Sequence, residues 1–388
     1  MTAPRALDVR RQVPAAERLG GPRWRVREEW FLGVSLATCA AFLVWGDALL
    51  RGLSQPLWLG VVLVWLFAVM LGSALSVVRH ADHMAVRLGE PYGTLILTLS
   101  VTSIEVMSIS AVMMHGANNP TLVRDTLFSV VMIVLNGMVG LSLLVGGWKH
   151  REQQYNFQGA NAYLGLIIPL AVLSLILPNF TLTTAGPTLS ITQETVLALL
   201  SAGLYGAFLA MQAGRHRGFF TLDRHAGDND PHRLHAAPPP LARSALLLAA
   251  YMLPVVFLAA QLAHPVDYLI ETLQAPTALG GMIMALLVAT PEAIGAVRAA
   301  TQNHLQRAVN IFLGSVLSTI GLTVPAMLAV SELTGRHIVL GLQHADFVML
   351  LLTLAVSMVT FASGRTNALQ GAVHLVLFAA YLLLMFQG

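Results

Sequence analysis

Charge is what this sequence has least of. Asp, Glu, Lys and Arg make up 11% of its 388 residues, 56% are apolar, and the mean hydropathy is +0.70. A soluble domain carries about a quarter charged residues, so a water-soluble chain of this length is excluded and the main solvent is lipid. Cysteine is nearly missing as well. Cys39 stands alone, which excludes an intrachain disulfide or a thiolate metal site and leaves it an apolar filler. No Gly-x4-Gly-Lys-Ser/Thr stretch is present, so a nucleotide-driven pump is excluded, and no His-Glu-x-x-His stretch, so a zinc protease is too. Aspartate is absent from every helix centre, which removes an intramembrane aspartyl protease. Neither an enzyme nor a bound cofactor is expected.

Long apolar runs are what the sequence does have. Eleven are long enough to span a bilayer as helices, at about 30–50, 58–78, 92–114, 127–147, 162–178, 194–214, 242–262, 278–300, 307–330, 347–362 and 367–386. They lack the period-two alternation of a barrel strand. The fold class is therefore an all-α polytopic membrane protein. The first run is about twenty residues long and has no small-residue cleavage site before Arg51, so it counts as a helix and not a signal peptide. With flanks included, 19 of the 22 Lys and Arg residues fall on alternate connections beginning with the N-terminus, and 3 on the others. The positive-inside bias then places the N-terminus in the cytoplasm and the C-terminus outside, in the periplasm of a bacterial inner-membrane protein. The pI of 9.3 follows from this asymmetry and calls for no nucleic-acid partner.

The chain reads as a basic tail (1–29), one extra helix (30–50), a five-helix repeat (58–214), a hydrophilic loop (215–241) and a second five-helix repeat (242–388). The loop holds four His, three Asp and three consecutive Pro residues, and is expected to be a solvated linker. "GTLILTLSVTSIE" (93–105) and "GGMIMALLVATPE" (280–292) share Gly, Ile, Leu, Val and Glu at matching places. "VLNGMVGLSLL" (134–144) and "FLGSVLSTIGL" (312–322) share a face of small residues, which lets helix backbones approach closely in lipid. Five helices per half invert the second copy, and transporters built this way bind their cargo at mid-membrane between the repeats.

Glu105 and Glu292 are the residues this plan singles out. Each falls past the middle of its apolar run, and the runs are expected to be antiparallel, so both land near mid-membrane. An intramembrane carboxylate costs about 3 kcal/mol, and no Arg or Lys lies at that depth to pair with it. Two such groups facing a cavity can share a cation. Burial disfavours the ionised carboxylate, so an empty site holds protons that an arriving cation displaces. Pro291 is expected to break its helix beside Glu292 and free carbonyl oxygens for a hard cation. Thr102, Ser103, Thr290, Asn136, Ser315 and Ser318 are candidate auxiliary ligands, each also able to bond its own helix instead. His374, on the last helix, is a candidate proton relay. Partners are inorganic cations (Ca²⁺ or Na⁺ as the transported ion), protons and the lipid bilayer, with a homo-oligomer left open. The rival is a cation channel with an acidic filter, uncoupled from protons.

Four segments carry a resemblance: "VVRHADHMAVRLGEPYGTLILTLSVTSIEV" (77–106), "RDTLFSVVMIVLNGMVGLSLLVGG" (124–147), "LQRAVNIFLGSVLSTIGLTVP" (305–325) and "SGRTNALQGAVHLVLFAAYL" (363–382). They resemble the ChaA-type calcium/sodium:proton antiporters, in the cation/proton exchanger branch of the Ca²⁺:cation antiporter superfamily. The resemblance implies eleven helices, an inner-membrane location and two repeats centred on Glu105 and Glu292. Where that superfamily has an Asn shortly before the glutamate, this sequence reads Val101-Thr102-Ser103-Ile104 and Val288-Ala289-Thr290-Pro291, and its central loop lacks a dense acidic run.

Overall fold

A computed structural model describes residues 29–89, 92–114, 119–214, 216–221 and 240–387. The N-terminal tail up to residue 28, most of the loop 215–241 and Gly388 lie outside the described residues. Among the described residues, eleven main helices follow one another: α1 (Trp30–Arg51), α2 (Pro56–Leu88), α3 (Tyr92–Met114), α4 (Leu122–His150), α5 (Phe157–Phe180), α6 (Ile191–Ala213), α7 (Leu241–Thr272), α8 (Ala278–Thr301), α9 (Leu305–Thr334), α10 (His344–Thr360) and α11 (Ala368–Gln387). Ten of these are long and apolar enough to cross a membrane, and α10, at 17 residues, is the short one. Exposed Leu, Val, Trp and Phe side chains cover the outside, as a lipid-facing surface requires.

Helix α2 continues past the apolar run. Hydropathy falls at Arg79, yet the helix goes on to Leu88 and stops at Gly89, whose φ of 68° suits glycine. At 33 residues it is about 50 Å long, and its last turns carry Arg79, a buried His80, an exposed Asp82 and His83. Glu29 ties the extra helix to this region, accepting hydrogen bonds from Arg79 (2.9 Å) and from the Tyr251 hydroxyl of α7 (3.0 Å).

The buried centre is formed by α4, α8 and α9, whose apolar residues make one continuous core with α5. Gly281 of α8 lies so close to α4 that a Cβ there would meet the Asp125 backbone at 2.5 Å. Small residues at such crossings let the two helices touch. Short π-turns interrupt α4 (Ile133–Met138), α5 (Val172–Ile176) and α9 (Thr319–Thr323), and one ends α7 (Tyr268–Thr272). A two-stranded antiparallel ribbon pairs β1 (Glu152–Gln154) with β2 (Arg365–Asn367), joining the α4–α5 and α10–α11 connections.

One expectation needs correction. Pro291 does not break α8, which stays helical from Ala278 to Thr301. Proline removes one N–H donor, but Pro291 is buried inside the bundle, where neighbouring groups let a helix continue past it. Asp125, in the first turn of α4, is 4% exposed, and Arg124 folds onto it with a 2.8 Å ion pair.

Candidate cation and proton site

Glu105 and Glu292 lie on α3 and α8, which pack on each other. They are the fourteenth residue of 23 and the fifteenth of 24 in their helices. Their carboxyl groups are close enough to feel each other's charge.

Their surroundings differ. Glu105 is 1% exposed. Its Oε2 accepts hydrogen bonds from the Thr323 hydroxyl at 2.8 Å and the Thr319 hydroxyl at 3.1 Å. Both threonines stand on the π-turn of α9. The other oxygen, Oε1, is buried with no partner among the described residues. Glu292 is half-buried in the wall of a cavity of about 510 Å³. Ser315 stands beside its carboxyl group, and its Oε2 has no hydrogen-bond partner among the described residues. Ser318 lines the cavity too, which extends to Asp82, Arg217 and Arg307. A bare buried carboxylate oxygen costs free energy unless a proton or a cation meets it.

The other candidates divide. Ser315 and Ser318 lie at the cavity, although the Ser318 hydroxyl also donates to the Ser315 carbonyl. Thr102 is buried with its hydroxyl unpaired, and Ser103 is half-buried; neither lines the cavity. Thr290 donates to the Leu286 carbonyl of its own helix. Asn136 turns its amide nitrogen to the Thr353 hydroxyl of α10 at 2.8 Å. His374 is fully buried, with Nε2 2.9 Å from the Thr360 hydroxyl, and no hydrogen bond joins it to either glutamate. Thr319 and Thr323 were not singled out in the sequence, although Ser315, Thr319 and Thr323 recur every four residues and so mark one polar stripe on an apolar helix.

Among the described residues no three His, Cys, Asp or Glu side chains converge as a metal cluster. A cation here would be held by two carboxylates and neutral oxygens, which suits an ion that must leave again.

A many-helix membrane chain with paired carboxyl groups at the centre and a cavity reaching one of them has the form of a carrier. A family model described as "sodium/calcium exchanger protein" matches residues 31–214 and 243–387, and the chain belongs to that family, within the Ca²⁺:cation antiporter superfamily. The sodium-potassium/proton antiporter ChaA of Escherichia coli (strain K12) is 40% identical over 353 residues, covering 90% of this chain and 94% of that protein. The structure of native YfkE superposes with a TM-score of 0.71 at 18% identity, over 92% of this chain and 100% of that one. The H⁺/Ca²⁺ exchanger CAX superposes at 0.58 and 14% identity, over 92% and 88% of the two chains. These similarities place the chain in a family of multi-pass cation antiporters and give it their fold.

Proposed function

We propose that this chain exchanges cytoplasmic Na⁺, K⁺ or Ca²⁺ for protons across the bacterial inner membrane by alternating access. Glu105 and Glu292 bind cation and protons competitively at the interface of two inverted five-helix repeats, 58–214 and 242–388. The observation that carries this is the carboxylate pair: two glutamates on packed helices, each with one buried oxygen that has no partner among the described residues, and one of them in the wall of the cavity. The basic asymmetry of the connections supports a cytoplasmic N-terminus and a periplasmic C-terminus. The cavity ends at Asp82, Arg217 and Arg307, so in that orientation it opens to the cytoplasm.

The chemistry follows from charge neutrality. An uncompensated charge cannot cross the membrane interior cheaply, so the site reorients when it carries protons or a matching cation. Two protons for one divalent ion, or one proton for one monovalent ion, leaves it neutral on both legs. The ion's name on the Escherichia coli relative favours Na⁺ and K⁺.

Everted membrane vesicles test this. Each cation, added to vesicles holding an acid-inside pH gradient, should collapse that gradient. Glu105→Gln and Glu292→Gln should each abolish the collapse while the protein still inserts. Near-normal cation-dependent proton movement in either variant would sink the proposal.

A further inference from the structure

The cavity that ends at Glu292 has a charged mouth that the exchange site itself does not use. Four of its lining side chains are charged: Glu292 at mid-helix, and Asp82, Arg217 and Arg307 at the cavity's end. Asp82 lies on the last turns of α2, Arg217 just after α6, and Arg307 on the first turn of α9. All three are exposed, and none forms an ion pair within 4 Å among the described residues. Asp82 and Arg307 do lie within electrostatic reach of each other, and His83 bears on Asp82 as well. A cation moving inward therefore passes two arginines and one aspartate before it meets a glutamate. We propose that Asp82 and Arg307 set the preference for ion valence at this mouth: Asp82 attracts incoming cations, Arg307 repels them, and divalent ions feel both about twice as strongly.

The physical basis is the potential of fixed charges at the neck of a low-dielectric cavity, which sets the local concentration of mobile ions. An ion of charge z in a fixed potential has an energy proportional to z, so one substitution changes the logarithm of affinity twice as much for Ca²⁺ as for Na⁺. Among the described residues lining the mouth, the two positive charges of Arg217 and Arg307 outnumber the one negative charge of Asp82. That handicaps divalent ions against monovalent ones, whichever the central carboxylates prefer. Asp82 also supplies, from a helix, the acidic attraction that the sparse central loop lacks. The inference rests on transport through the Glu105–Glu292 site, and its test separates the two.

The experiment measures initial uptake into everted vesicles at fixed pH, giving apparent KM and maximal rate for Na⁺ and for Ca²⁺. If Ca²⁺ is not carried, its inhibition constant against Na⁺ uptake takes its place. Asp82→Asn should raise the Na⁺ value about threefold and the Ca²⁺ value about tenfold, with maximal rates unchanged. Arg307→Gln should lower both by similar factors, and the double variant should return to the starting values. Raising a non-transported salt from about 10 mM to about 150 mM should erase most of the difference, because the screening length drops from about 30 Å to about 8 Å.

Equal shifts for the two ions, no shift at low salt, or a shift that survives high salt would overturn the proposal. If Asp82→Asn fails to reach the membrane, the opposite-signed shift in Arg307→Gln decides it alone. Exchange persisting in Glu292→Gln would refute the central site. Exchange lost there while Asp82→Asn and Arg307→Gln match the unmodified protein would refute only the mouth.

Discussion

Thr323→Val removes one hydroxyl and little else, because valine has nearly the same shape as threonine. The lost group donates to Glu105 Oε2 at 2.8 Å, the shorter of that oxygen's two hydrogen bonds. A hydrogen bond to a charged group is worth about 1.5–3 kcal/mol. At 1.36 kcal/mol per pH unit, that is about one to two units of proton affinity. The sign follows from the donor's direction: a hydroxyl pointing at a carboxylate favours the ionised form. Without it, Glu105 holds its proton more tightly, and a cation needs a higher pH to displace that proton. The profile of exchange against pH, measured as initial cation uptake at a fixed proton gradient, should move about one to two units alkaline. At a fixed pH on its acid side, apparent cation affinity should fall about ten- to a hundredfold. Thr319→Val, losing the longer bond, should move the profile less, and Thr323→Ser should leave it in place. An unchanged profile in Thr323→Val would mean that Glu105 does not exchange its proton for the cation. An acid shift would mean that the threonines hold its neutral form.

Two further outcomes follow from buried polar contacts. Arg124→Ala leaves Asp125 buried without its 2.8 Å partner and removes a 3.2 Å bond to the Gly341 carbonyl. A cost of about 3–5 kcal/mol is expected, read as a lower melting temperature of the detergent-solubilised protein; an unchanged value would place Asp125 in water. His374→Asn should lose about 1–3 kcal/mol through the unpaired Thr360 hydroxyl, yet keep the pH profile of exchange. A displaced profile would make His374 part of the proton path after all.

Lipid makes the elements of this chain easy to read and their contacts hard to read. The eleven runs match eleven helices because every backbone group in a bilayer must be satisfied internally, so apolar length alone marks a span. The boundary errors follow the same logic. The apolar run ends at residue 78, where hydropathy falls, but polar residues are tolerated in a helix, so α2 continues through Arg79, His80 and Asp82 until Gly89 ends it. Pro291 marked a break on local grounds, and tertiary packing overrode it. Glu105 and Glu292 stood out because depth and charge scarcity are both visible in one dimension. What they face was not visible. The rotation of α4 turns Asn136 toward α10, and that of α9 turns Thr319 and Thr323 toward Glu105. The stripe formed by Ser315, Thr319 and Thr323 was there to be counted, but nothing local said which helix it would meet.

The cradle around Glu105 also separates the two glutamates in a way that repeat symmetry does not repair. Where 134–144 is set against 312–322, Thr319 falls opposite Leu141, and Thr323, one residue beyond, falls opposite Val145. Leu141 is 44% exposed on the lipid side, and neither residue has a hydroxyl to donate. If the halves exchanged roles as the site turned outward, Glu292 would therefore not gain the pair of donors that Glu105 has now. Its neighbour is Ser315, from its own half. Hydroxyl donors favour the ionised carboxylate, and a carboxyl group with fewer of them keeps its proton longer. If both carboxyl groups exchange protons for the cation, their unequal sets of donors give them different proton affinities and so two separate steps in cation binding against pH. Thr319→Val combined with Thr323→Val should narrow that difference in proton affinity. Two separate steps in cation binding against pH should then merge toward one, while Ser315→Ala should spread them further apart.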